Sequence, residues 1–200
     1  MKFKTNLCGC LLLCLCLALL LSACGEQKLT SATAKEILPP LVEASVPLNE
    51  IYFGNGFLPL ARPDGDAPDG YYYVDTTSLG FASISEIMEA TRAVFTEEYA
   101  ALLFAAAFDG VAVGETVLPP RYIEGELGLC QRIGAAPYVL PTRVYDFDTL
   151  TVVRQKGDRT TLTVDTVADG KLTNIELLLT RRADSTADGG YIYRLDSPTY

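Results

Sequence analysis

Four runs in the C-terminal half alternate apolar and polar residues with a period of two: Tyr145 to Gln155, Arg159 to Val167, Lys171 to Arg181 and Tyr191 to Asp196. They are separated by Lys156-Gly157-Asp158, Ala168-Asp169-Gly170 and Ala187-Asp188-Gly189-Gly190. Glycine and aspartate at such separators tolerate the positive φ of tight hairpins. Leu162 and Val164 share a face opposite Thr161, Thr163 and Asp165, while Ile175, Leu177 and Leu179 oppose Glu176 and Thr180. Strands with one apolar and one polar face form an antiparallel sheet packed on one side. The pattern therefore predicts a meander whose inner face some other element has to cover.

Helices upstream supply that cover. Ser83-x-x-Glu86 has capping-box spacing, and Ile84, Ile87, Met88, Thr91 and Val94 lie on one stripe, which predicts a helix over 83–95. Thr96 caps a second helix, Glu97 and Glu98 suit the positive end of its dipole, and Asp109-Gly110 stops it after Phe108. Tyr71 to Val74 reads as a short strand, and Pro120 to Glu124 with Leu127 to Ile133 as two more across a Glu-Gly turn. The passage between Gly110 and Pro120, rich in glycine and proline, carries no expected element. The fold class expected is α+β, with N-terminal helices packed on a curved antiparallel sheet and a single domain over 51–200.

The N-terminus has another character. Lys2 and Lys4 precede an unbroken apolar run from Leu7 to Leu21, shorter than the roughly 20 residues a helix needs to span a bilayer. The layout is that of an export signal over 1–23. Leu21-Ser22-Ala23-Cys24 resembles the lipobox of bacterial lipoproteins, which implies cleavage before Cys24 and a diacylglyceryl group on its thiol. Two acyl chains suffice for stable anchoring, so the expected location is the extracytoplasmic face of the cell membrane. Residues 24–50, interrupted by Pro39, Pro40 and Pro47, are expected to form a tether with at most one short helix around Ala32 to Leu38.

Without the leader's two lysines, 14 basic residues face 25 acidic ones, a formal charge of −11. Nucleic acid and anionic lipid surfaces, which call for basic patches, are poor partners for such a chain. Cys8, Cys10, Cys14 and Cys16 lie in the leader and Cys24 is committed to lipid, so Cys130 has no partner for an internal disulfide. Roughly 130 to 150 residues can fold by core alone. The chain has no histidine, which excludes Ser-His-Asp and Cys-His catalysis and imidazole metal sites.

Acidic pairs are the remaining catalytic candidates, since glycoside hydrolysis needs two carboxylates a few Å apart. Glu97 with Glu98 reads as dipole stabilisation, and Glu124 with Glu126 and Asp146 with Asp148 as turn or exposed strand positions. Asp64-Gly-Asp66 with Asp69-Gly70 has calcium-loop composition, but the bidentate acid required at a fixed distance is missing. Cys130, lacking a base, reads as a small core residue. No metal or cofactor is expected. Ile51 to Gly70 reads as a long ordered loop whose Tyr52, Phe53, Phe57 and Leu58 either cover the core or form a contact surface, with core-covering favoured.

Ser83-Ile-Ser-Glu-Ile, Val94-Phe-Thr-Glu-Glu-Tyr-Ala100, Tyr122-Ile-Glu-Gly-Glu-Leu and the closing Tyr191-Ile-Tyr-Arg-Leu-Asp-Ser-Pro-Thr-Tyr200 resemble small lipoproteins of anaerobic Gram-positive bacteria. These look like relatives of the IseA-type D,L-endopeptidase inhibitors, whose members plug the cleft of cell-wall hydrolases. The resemblance implies a cystatin-like or nuclear-transport-factor-2-like sheet over about Tyr71 to Tyr200. The closing strand departs from it, with Tyr193 beside Arg194 where tryptophan is expected. The functional expectation is a non-catalytic, lipid-anchored binding module that restrains a peptidoglycan hydrolase. Two alternatives stand beside it: a small-molecule or isomerase-like protein with a pocket inside the sheet, and a structural envelope lipoprotein.

Overall fold

The computed structural model describes residues 28–60, 67–134, 140, 143–183 and 190–200. The leader, Cys24, Asp64 to Asp66 and Ala187 to Gly189 lie outside the described residues.

The first element corrects the tether expectation. Helix α1 runs over Ser31–Tyr52, with Thr30 as its N-cap accepting from the Thr33 N–H. Ala34, Leu38, Val42, Ser45, Asn49 and Tyr52 are all buried, and these positions repeat every 3.6 residues on average. Pro39 and Pro47 are only partly covered and Pro40 is exposed, so the three rings sit off the buried stripe. An interior proline costs about 3 kcal/mol relative to alanine. Burial of a Leu, Val or Ile returns about 1.5–3 kcal/mol each, so Leu38, Val42, Leu48 and Ile51 together offset the prolines. Leu29, just ahead of the helix, is also buried. The core therefore already includes Leu29 and the helix that follows it.

The meander is present, with three strands longer than expected and the last one residue shorter: β7 (Arg143–Lys156), β8 (Arg159–Ala168), β9 (Lys171–Ala183) and β10 (Tyr191–Leu195), antiparallel in the order β10-β9-β8-β7. Asp169 at φ 52° and Gly170 at φ 74° form the β8–β9 turn, the doubly positive geometry that matches strand twist. Leu150, Leu162, Val164, Leu177, Leu179 and Leu195 are buried on the inner face. The pairing of β7 with β8 slips between Asp146 and Thr151 and again between Val152 and Arg154. Such bulges bend a strand and free its backbone groups. Here α1 takes them up: Lys35 Nζ donates to Asp148 O at 2.7 Å and Val152 N–H donates to Ser31 Oγ at 3.1 Å, while the Gln155 side chain accepts from Leu29 N–H ahead of the helix.

Helix α2 (Ile84–Val94) and helix α3 (Glu97–Phe104) follow the sequence expectation, capped by Ser83 and Thr96. The end of α3 widens into a π-helical turn, Ala105–Asp109, stopped by Gly110 at φ 85°. The small strands β1 (Leu58–Pro59), β2 (Tyr71–Asp75), β5 (Tyr122–Gly125) and β6 (Gly128–Arg132) do not join the meander. They make a second four-stranded sheet in the order β1-β2-β6-β5, while β3 (Val111–Val113) and β4 (Thr116–Leu118) pair only with each other. The fold is α+β, as expected, but where the sequence suggested one curved sheet the described residues form two four-stranded sheets and a separate two-stranded ribbon. Phe57, Val74, Tyr122 and Leu129 of the smaller sheet region enter the same hydrophobic cluster as α1, α2 and the meander. Among the described residues no helix is long and apolar enough to cross a membrane.

Candidate functional site

Of the four side chains read as either covering the core or forming a contact surface, three pack into the interior, the reading the sequence favoured. Tyr52 ends α1, is buried, and its hydroxyl shares a hydrogen bond of 2.7 Å with Thr91 of α2. Phe57 is buried edge-on against Tyr122, with ring centroids 5.8 Å apart, and Phe53 is half-buried against Tyr200. Leu58 alone of the four remains exposed, at 63%.

The second sheet explains why. Arg121 donates to Tyr52 O and Gly54 O, and the Tyr122 hydroxyl donates to Ile51 O, so carbonyls at and just beyond the C-terminal end of α1 find buried donors. Gln131 completes the clamp, accepting from Phe57 N–H at 2.9 Å and donating to Asn55 O at 2.8 Å. Gly56 sits at φ 75° in this turn, where a Cβ would collide with the Gln131 amide and the Tyr122 hydroxyl. Burial pushes the Tyr52 and Tyr122 phenols well above their ordinary range, against the opposing influence of hydrogen bonds and nearby arginines. These groups hold the fold together.

One member of each acidic pair makes a local structural contact. Glu97 pairs with Arg92 at 3.2 Å. Glu124 accepts from Ile84 N–H at 2.7 Å, capping α2 from the neighbouring sheet, and Glu86 accepts from Ala82 N–H. Asp146 accepts from Asp148 N–H inside the β7 bulge. Asp75 caps a single 3-10 turn, Thr76–Ser78. Cys130 is buried, its Sγ donating to Gly128 O at 3.6 Å.

Two features that sequence reasoning missed are open to solvent. The first is the β3–β4 ribbon. Val111 pairs with Leu118, Ala112 with Val117 and Val113 with Thr116 across the Gly114-Glu115 turn. Val111, Val113, Val117 and Leu118 are between 41% and 68% exposed. β-Branched residues flanking a glycine turn were the available signal, hidden by the short length of each strand and by the prolines that follow.

The second is a cleft of about 720 Å³ at the junction of α2, α3 and the end of the meander. Arg92, Arg181, Arg182 and Arg194 line it, together with Glu97, Glu98 and Asp158. Strand register places Arg182 opposite Ile192 and Arg194 opposite Thr180, which brings Arg182 and Arg194 onto one face of β9 and β10, with Arg181 on the other. Arg194 is fixed by donating through Nε to Arg92 O and through Nη1 to Tyr193 O, both at 2.9 Å. Burial lowers its pKa from the usual guanidinium value. The Arg181 guanidinium stacks 4.8 Å above the Tyr191 ring. Thr180 Oγ1 is buried in the cleft wall without a hydrogen-bond partner among the described residues. No sequence spacing reveals this group, because its arginines come from three elements.

No protein-family model matches this chain, and no curated protein matches it.

Proposed function

We propose that this chain is a lipid-anchored extracytoplasmic binding module, held in the membrane through Cys24, that binds and restrains a peptidoglycan hydrolase through the β3–β4 ribbon. The observation that carries this reading is the ribbon itself. Both of its faces are exposed, whereas the large apolar side chains of the meander's inner face are buried. A lone two-stranded ribbon is marginal in water, and a narrow apolar projection suits the cleft of another protein better than a flat surface. The acidic balance of the chain favours a basic partner and predicts that added salt weakens the complex.

The test is lysis of purified peptidoglycan by a D,L-endopeptidase with and without the protein, alongside capture of hydrolases from envelope extract. Inhibition near one equivalent, lost in Val113→Asp/Val117→Asp with the melting temperature unchanged, supports the proposal. Undiminished lysis with no hydrolase captured sinks it.

A further inference from the structure

We propose that the cleft beside β10 binds a small zwitterion, of the class of free amino acids and short peptides, with its carboxylate on Arg182 and Arg194 and its ammonium facing Glu98 and Asp158. This site is separate from the β3–β4 ribbon and does not depend on the role given to it.

The volume, about 720 Å³, is that of a small-molecule site and exceeds that of two further surface cavities among the described residues, about 220 and 280 Å³. In a chain where acids outnumber bases, four arginines converge here. Arg92 is matched by Glu97, but neither Arg182 nor Arg194 forms an ion pair among the described residues. Arg194 is already oriented by two main-chain carbonyls, which are uncharged, so its guanidinium is positioned in advance, with no ion-pair partner among the described residues. A half-buried cation in that state favours an anion, and a planar carboxylate matches the guanidinium fork.

The opposite lining decides what the rest of the ligand is. Glu97 and Glu98 in the first turn of α3, with Asp158 from the β7–β8 turn, put three carboxylates in the same cleft. They disfavour a multiply charged anion such as phosphate and favour a ligand that carries its own cation. Ile192 between the arginines offers apolar contact for a short side chain.

The full chain, in mild detergent, is titrated calorimetrically with dialanine bearing free ends, with its N-acetyl and its C-terminal amide forms, and with inorganic phosphate. The free dipeptide is expected to bind, and blocking either end, or substituting Arg182→Ser, to weaken it about tenfold or more. Glu98→Gln is expected to remove the preference for the free amine while leaving the preference for the free carboxylate. Arg182→Ser alters a solvent-facing residue, so an unchanged melting temperature separates lost binding from lost folding. Absence of heat with the free dipeptide overturns the proposal. So does equal binding of the blocked forms or of phosphate, or binding indifferent to Arg182→Ser.

Discussion

Helix α1 and the β7–β10 meander share one hydrophobic core, yet their sequences announce them very differently. In the meander the local signals agree: alternation, β-branched residues and the Gly157-Asp158 and Asp169-Gly170 turns specify the strands that form. In α1 the local signals conflict. Three prolines argue for a broken segment, while Ala34, Leu38, Val42, Ser45, Asn49 and Tyr52 keep a helical stripe through them. Packing resolved the conflict, since the stripe is buried on β7, β10 and α2 and the prolines fall outside it. A proline-rich N-terminal stretch is therefore not a tether merely because it is unfavourable as an isolated helix.

Five substitutions test how far that difference extends. The largest effect is expected from Leu38→Ala, which leaves a cavity beneath α1 and costs about 3 kcal/mol, in the range for such truncations. In denaturant unfolding, a loss under about 0.5 kcal/mol would return the segment to a tether. Arg121→Ala removes the charged cap on Tyr52 O and Gly54 O, and about 2 kcal/mol of destabilisation is expected because both carbonyls are buried. Retention of full stability would mean that the helix end does not need the second sheet.

Pro40→Ala should act in the opposite direction. Its ring is exposed, so alanine restores a helical N–H and raises stability by roughly 1–2 kcal/mol after the added freedom of the unfolded chain is counted. A loss of stability there would show that the prolines shape α1 rather than merely being tolerated.

Tyr145, on β7, provides a comparison read by pH. Burial pushes its phenol up to about 12, and its hydroxyl donates to Thr199 O. The unfolded chain ionises this group near pH 10, so the native state holds the extra proton between the two values. Stability is thus unaffected below about pH 10 and falls as pH rises from there through about 12. Tyr145→Phe should lower stability by about 1 kcal/mol at pH 7, through the lost hydrogen bond, and flatten the alkaline decline. An equally steep decline in the variant would assign it to Tyr52 and Tyr122 instead. The smallest change is expected from Leu172→Thr on the outer face of the meander, where the side chain is 73% exposed, with a shift within about 0.5 kcal/mol in thermal melting.

The same contrast explains what could be read of the candidate sites. Capping by Ser83 and Thr96 was legible because a cap and its helix lie within four residues of each other. The second sheet was not: β2 and β6 are some 50 residues apart and meet in an antiparallel pair that no spacing encodes. Tyr52, Phe53 and Phe57 looked like possible contact residues because the groups that bury them, Arg121, Tyr122 and Gln131, are some 70 residues downstream. The cleft arginines came together only through the register of β9 with β10 and the arrival of α2 beside Arg194.

The sequence by itself determined the α+β class, the meander with its β7–β8 and β8–β9 turns and the two capped helices, because each depends on periodicities and turn conformations set within a few residues. The tertiary structure decided that the proline-bearing segment is a core helix, that the small strands form their own sheet, and that an apolar ribbon and an arginine-lined cleft face solvent. Those outcomes depend on which distant apolar stripes and backbone groups satisfy one another, a competition that local spacing does not contain.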